Sequence, residues 1–118
     1  MSGIATSIGN RGEEAATEWL REHGYYIVER NWRSGSYEID IIAEHFDTLH
    51  FIEVKTRHIS GWQPPFDSID DRKIRSMRRA ATLYRMVHRM PHNIQFDLMA
   101  VTVDDHQRFT VEYTENII

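Results

Sequence analysis

Along residues 8–23 the small or apolar positions Ile8, Gly12, Ala15, Ala16, Trp19 and Leu20 recur at three- and four-residue intervals, the spacing of an amphipathic helix. Gly24 is placed to end it as a C-terminal cap. The period then changes. Residues 25–28 are β-prone, and Arg30, Asn31 and Trp32 lead on into a polar loop around Ser34, Gly35 and Ser36. Two further β-rich runs, 37–43 and 49–56, are separated only by the polar stretch 44–48 and so read as an antiparallel hairpin. Residues 61–65 form a loop, after which Asp67 or Ser68 is placed to cap a helix running to about His88 and ended by Pro91. Residues 96–103 and 109–113 read as closing strands that turn at Asp104, Asp105 and His106. The order is αβββαββ, an α/β chain without repeat, low-complexity tract or linker, and therefore one domain over residues 1–118.

The hairpin carries the chemistry. Side chains alternate faces along a strand, so Glu38, Asp40 and Ile42 share one face and Ile39, Ile41 and Ala43 the other. Phe51, Glu53 and Lys55 go together on the next strand, with Ile52 and Val54 opposite. A turn centred between Phe46 and Asp47, of two or four residues, makes paired numbers sum to 93. That register sets Asp40 opposite Glu53 and Glu38 opposite Lys55. Two carboxylates about 5 Å apart repel by roughly 3 kcal/mol at an effective dielectric of about 20, a load that a hard divalent cation relieves. Mg²⁺ or Mn²⁺ accepts one or two carboxylates plus waters, and the Val54 carbonyl offers a further oxygen. Lys55 is then placed to orient an attacking water or to stabilise developing negative charge. The plainer alternative is that Glu38 and Lys55 form an ordinary cross-strand ion pair. Lys55 and Lys73 are the only lysines beside twelve arginines, which fits a catalytic use of the tunable ammonium and equally an arginine-rich composition.

The helices add candidates. On a helical wheel Glu13 falls at the edge of the apolar face beside Ala16 and Leu20, where it either joins the metal site or complements the helix dipole. The second helix gathers Ile74, Met77, Ala80, Ala81, Tyr84 and Val87 on one face, with Lys73 among them as a site residue or a snorkelling side chain. Arg75, Arg78, Arg79, Arg85 and Arg89 line the other face, as a phosphate-contacting stripe or a solvated surface. His45, His50 and His58 read as polar loop residues rather than ligands. Asp97, between Phe96 and Leu98, either pairs with a site cation or flanks a core strand.

The formal net charge of −4 argues against a polyanionic partner until its distribution is considered. Seven of the 14 basic residues lie within residues 72–89, so a basic surface exists locally. The absence of cysteine excludes a disulfide framework, a thiolate zinc site and a cysteine nucleophile. With no basic leader and no long apolar run, the expectation is a cytoplasmic protein that does not enter a membrane.

Gly12-Glu13 followed by Ala16, then Gly24-Tyr25, Arg30-Asn31-Trp32-Arg33, Glu38-Ile39-Asp40-Ile41-Ile42-Ala43, Phe51-Ile52-Glu53-Val54-Lys55-Thr56-Arg57, Arg72-Lys73 and Phe96-Asp97 together closely resemble the bacterial YraN family across nearly the whole chain. That family is grouped with the PD-(D/E)XK, restriction-endonuclease-like superfamily and looks similar to archaeal Holliday-junction resolvases. The resemblance implies a central mixed sheet of about five strands flanked by two helices. It implies that Asp40 and Glu53 bind Mg²⁺, that Lys55 assists catalysis and that Glu13 joins them. The implied activity is metal-dependent hydrolysis of DNA phosphodiester bonds, on branched or structured DNA, by a protein that would dimerise on a two-fold junction. The alternative is a nucleic-acid-binding module that keeps the fold and does not cleave. Two positions depart from the family pattern: Tyr37 stands where glycine is usual and Gln95 where arginine is common.

Overall fold

The computed structural model describes residues 4–62, 64, 69–88 and 93–118, apart from the side chains of residues 4–7. The elements follow in the expected order: α1 (Ile4–Glu22), β1 (Tyr26–Ser34), β2 (Tyr37–His45), β3 (Thr48–His58), α2 (Asp71–Val87), β4 (Asn93–Val103) and β5 (Phe109–Thr114). One five-stranded sheet runs β1-β2-β3-β4-β5, antiparallel except for the parallel pair β3 and β4. A parallel pair needs a crossover, and α2 supplies it.

Each helix covers one face. Ala16 and Leu20 of α1 pack with Ile41, Ala43, Ile52, Met99 and Val101, all buried. Met77, Ala80, Ala81 and Tyr84 of α2 pack with Ile39, Ile42, Leu49 and Phe51 on the other side. Val87, expected on the apolar face, is exposed.

Local chemistry explains the helix ends. Gly24 has φ 86°, Tyr25 N donates to Leu20 O at 2.9 Å and Gly24 N to Arg21 O at 3.1 Å, the paired bonds of a Schellman cap. The cap of α2 is Asp70, whose carboxylate accepts from Lys73 N at 2.8 Å. The expected caps Asp67 and Ser68, the loop residue Pro65, and the expected terminator Pro91 with Arg89 lie outside the described residues.

Helix α1 sits so close to β3 that a Cβ on Gly12 would lie 2.0 Å from Thr56 Oγ1 and 2.7 Å from Thr56 Cβ. Threonine is stiff at χ1, so the helix itself must retreat to admit a methyl group. Gly12→Ala is expected to cost about 1–3 kcal/mol of stability, and adding Thr56→Ala to recover part of it; urea unfolding of the two variants checks this.

Two expectations about β1 and β2 are corrected. Strand β1 runs on through Arg30, Asn31 and Trp32 as far as Ser34, which was expected in the loop. An edge strand with one half-exposed face is polar enough to look like a loop, yet Trp32 sets its ring edge-on against Tyr84 at 5.2 Å. The alternation expected along β2 breaks at Asp40. Ile39 packs with Ile42 on the α2 side, whereas Ile41 and Ala43 pack on the α1 side. Opposite the break, between the pairs Arg30–Ile41 and Trp32–Ile39, Asn31 takes φ 53°. A left-handed residue within a strand changes which way the following side chains point, so both strands switch faces together.

Candidate functional site

That switch places Asp40 at a seam between the two faces. The β2–β3 register sums to 93 as expected, from His45–Thr48 to Ile41–Ile52. There the described pairing ends. One position further, Asp40 Oδ2 accepts from Val54 N at 2.8 Å, so a side chain takes the amide that a backbone carbonyl would otherwise receive. The carboxyl groups of Asp40 and Glu53 meet in a side-chain hydrogen bond. The described β2–β3 pairing does not reach Glu38 and Lys55, and Glu38 has its contact on the other side of β2. Glu38 is opposite Arg33 on β1, and Arg33 Nε lies 2.9 Å from Glu38 Oε2.

The electrostatics follow from this crowding. Burial first, and then the neighbouring charge of Asp40, push the Glu53 carboxyl up to about 7 from an ordinary 4.5. Lys73 opposes the rise, its Nζ 3.3 Å from Glu53 Oε1. Burial also raises Asp40, against the bond from Val54. Two like charges with little water between them hold on to protons unless a cation replaces them.

Glu13 reaches the site from α1. Its carboxyl is raised by burial and then by Asp40, and is opposed by a hydrogen bond from Asn31 and by the charge of Arg30. Thr17 Oγ1 donates to Glu13 O at 2.7 Å within the helix. Lys55 lies two residues beyond Glu53 on β3, while Thr56 meets α1 at Gly12, so Lys55 is on the α2 side with Glu53 and Lys73. Lys73 thus belongs to the site. Of the arginine stripe, Arg75, Arg78 and Arg79 are all exposed.

Asp97 is elsewhere. It is fully buried, with Oδ2 2.6 Å from His50 Nδ1 and a further bond from Tyr113 OH, while Gln95 Nε2 and Asn116 N donate to Oδ1 at 2.9 and 3.0 Å. Burial alone would raise this carboxyl, but the four bonds outweigh it and hold it below its ordinary value. His50 is accordingly a buried strand residue, correcting the loop reading. His45 and His58 also lie in strands, His45 stacked on Tyr25 at 4.0 Å and His58 Nε2 3.1 Å from Asp105 Oδ1.

Asn31 was not among the sequence candidates. Its signal was present: an asparagine between charged and aromatic residues tolerates the left-handed turn that a strand switch needs.

Among the described residues no group of three or more His, Asp or Glu is arranged to hold a metal ion. Asp40 and Glu53 are a two-carboxylate set. Such a set fits Mg²⁺ or Mn²⁺, which keep several waters, and does not fit a closed zinc site or a calcium cage.

Comparison with other proteins agrees with the sequence reading at family level. A family described as "Uncharacterised protein family UPF0102" matches residues 12–101. A UPF0102 protein of Bacteroides thetaiotaomicron is 36% identical over 106 residues, covering 90% of this chain and 87% of its own. One from Chlorobium phaeobacteroides is 37% identical, covering 98% and 97%, and one from Persephonella marina is 38% identical, covering 79% and 81%. Asp40, Glu53, Lys55 and Lys73 all fall within the matched span, as do Gly12 and Glu13 at its beginning, and the chain belongs to the UPF0102 family, the YraN family that its motifs resemble.

Proposed function

We propose that this protein is a metal-dependent nuclease that hydrolyses phosphodiester bonds in DNA, with branched or structured DNA as its preferred substrate. The observation that carries the reading is the contact between the Asp40 and Glu53 carboxyl groups at the end of the β2–β3 ladder, with Lys73 3.3 Å from Glu53 and Lys55 on the same side of the sheet. Asp40 and Glu53, with the Val54 carbonyl, would hold Mg²⁺ or Mn²⁺. When bound, such a cation supplies charge neutralisation at the phosphate and makes water a better nucleophile.

The side chains have distinct tasks. The Val54 amide fixes one oxygen of Asp40 and so sets the direction of the carboxylate. Lys55 orients water or steadies the charge that develops on the phosphoryl oxygens. Glu13, with its raised carboxyl, holds or accepts a proton at the α1 edge of the site. Lys73 opposes the protonation of Glu53 that burial and Asp40 favour. The exposed arginines of α2 draw the polyanion toward this side of the molecule.

The test is calorimetric titration with Mn²⁺, followed by cleavage assays on branched, single-stranded and duplex DNA. Wild type is expected to bind Mn²⁺ and cleave at least one substrate, and Asp40→Asn to lose both. A wild type that binds Mn²⁺ but leaves every substrate intact at high enzyme concentration overturns the nuclease reading. One observation favours the second reading, a nucleic-acid-binding module without cleavage: Lys73 already gives Glu53 a positive partner without any metal.

Lys73→Met tests what this ion pair does to the carboxylate site. Removing the ammonium is expected to raise the Glu53 carboxyl further and to move the acid limb of Mn²⁺ binding to higher pH, by about one unit. A titration repeated between pH 5 and pH 9 would read that shift.

A further inference from the structure

Between the β1–β2 turn and α2 lies an open cleft of about 600 Å³ lined by Ser36, Tyr37, Arg72, Arg75, Ser76 and Arg79. The three arginines stand three and four residues apart along α2, so they project from one side of the helix as a row. All three are exposed, and among the described residues no carboxylate pairs with any of them. The nearby Glu38, which would otherwise be available to them, is taken by Arg33. Asp70 is likewise engaged at the helix cap.

We infer that this cleft is a phosphate subsite for the backbone of the substrate strand. The inference rests on the nuclease reading and adds to it where the strand is gripped and by which arginines. Guanidinium groups present paired N–H donors that match phosphate oxygens two at a time, and the hydroxyl groups of Ser36 and Ser76 add donors at opposite walls. Two of the elements that line the cleft, β2 and α2, also carry residues of the carboxylate site. Tyr37 precedes Asp40 by three residues of β2, about 10 Å of strand. Arg72 directly precedes Lys73, whose ammonium meets Glu53. A strand held in the cleft is thereby anchored by the same β2 and α2 that carry Asp40 and Lys73. Arg78 and Arg85 do not line the cleft, so the basic helix face divides into a row that grips and a remainder that is solvated.

The experiment measures binding of fluorescent oligonucleotides in EDTA, where cleavage is prevented, as a function of salt. Two variants are compared with wild type: Arg72→Gln/Arg75→Gln/Arg79→Gln, and Arg78→Gln/Arg85→Gln. The first is expected to weaken binding about tenfold or more at low salt and to reduce the salt slope by about 2–3, and the second to change the slope by less than about 1. Mn²⁺ affinity of the cleft variant is expected to stay at the wild-type value. Equal weakening in both variants would mean diffuse attraction and overturn the subsite, and so would wild-type binding in the cleft variant. Cleavage retained by wild type in either case leaves the nuclease reading standing. A wild type that neither binds DNA nor cleaves it removes both. Inorganic phosphate forms the last arm: if it saturates the cleft, followed by NMR shifts of the Arg Nε–H signals, without competing with oligonucleotide, the cleft takes free phosphate and the inference fails.

Discussion

Asp97→Ala is expected to lower stability by about 3–5 kcal/mol, seen as a large fall in the urea midpoint with an unchanged m-value. Asp97 is fully buried and accepts from His50, Tyr113, Gln95 and the Asn116 amide. Removing it leaves His50, itself only 3% exposed, without the carboxylate that faces it. A buried group that has lost its partner keeps the cost of desolvation and gains nothing in return. The loss also reaches the end of the chain. Asn116 N binds Asp97, Ile117 N donates to Phe96 O at 2.9 Å, and Gln95 bridges Asp97 to Glu115, so one carboxylate ties the C-terminal segment to β4. Asp97→Asn keeps the shape and one acceptor and is expected to fall between wild type and Asp97→Ala. Equal stability of Asp97→Ala and wild type would remove the anchoring role.

Why Asp97 read as a site candidate, and the seam at Asp40 did not read at all, comes down to the range of the signals involved. Hydrophobic period is local, and it located both helices, the hairpin and the closing strands within a few residues. The hairpin register was equally legible, because a two-residue turn at Phe46 and Asp47 leaves one pairing for the residues beside it. Strict alternation, however, holds only while both strands stay regular. Asn31 at φ 53° breaks it from the neighbouring strand and redirects the three pairs beyond it, Trp32–Ile39, Arg33–Glu38 and Ser34–Tyr37, and no window along β2 contains that information.

The site was legible where strand neighbours make it and hidden where helices complete it. Asp40 and Glu53 lie close together on one hairpin, so their meeting could be read from spacing alone. Lys73 and Glu13 come from separate elements, and a helical wheel gives their direction without giving their reach. His50 gave a signal that was passed over. It shares a β3 face with Ile52 and Val54, which pack toward α1, and a histidine at such a position needs a buried partner. The partner is Asp97, which sits two residues along the parallel strand from the position paired with His50.

Glu53→Gln is expected to abolish Mn²⁺ binding and cleavage while making the metal-free protein more stable above neutral pH. In the folded chain the Glu53 carboxyl stands at about 7 against an ordinary 4.5, so folding favours its protonated form. The stability tied to that proton is fully present below about pH 4.5 and is lost as the pH rises through about 7. At roughly 1.4 kcal/mol per unit, the loss is about 3–4 kcal/mol for the metal-free wild type. Glutamine has no proton to lose, so urea midpoints of Glu53→Gln are expected to change little between pH 5 and pH 8, while those of wild type fall. Mn²⁺ reverses the wild-type trend, because the cation takes the place of the proton and competes with it. It is therefore expected to raise the wild-type Tm more at pH 8 than at pH 5 and to leave Glu53→Gln unmoved at both. A wild type whose stability is flat across this range, or a Glu53→Gln protein that Mn²⁺ still stabilises, would mean that the two carboxyl groups do not share one charge-compensating site. The gain in stability from removing a carboxylate and the loss of the cation then have one origin: Asp40 and Glu53 are held closer than two negative charges prefer.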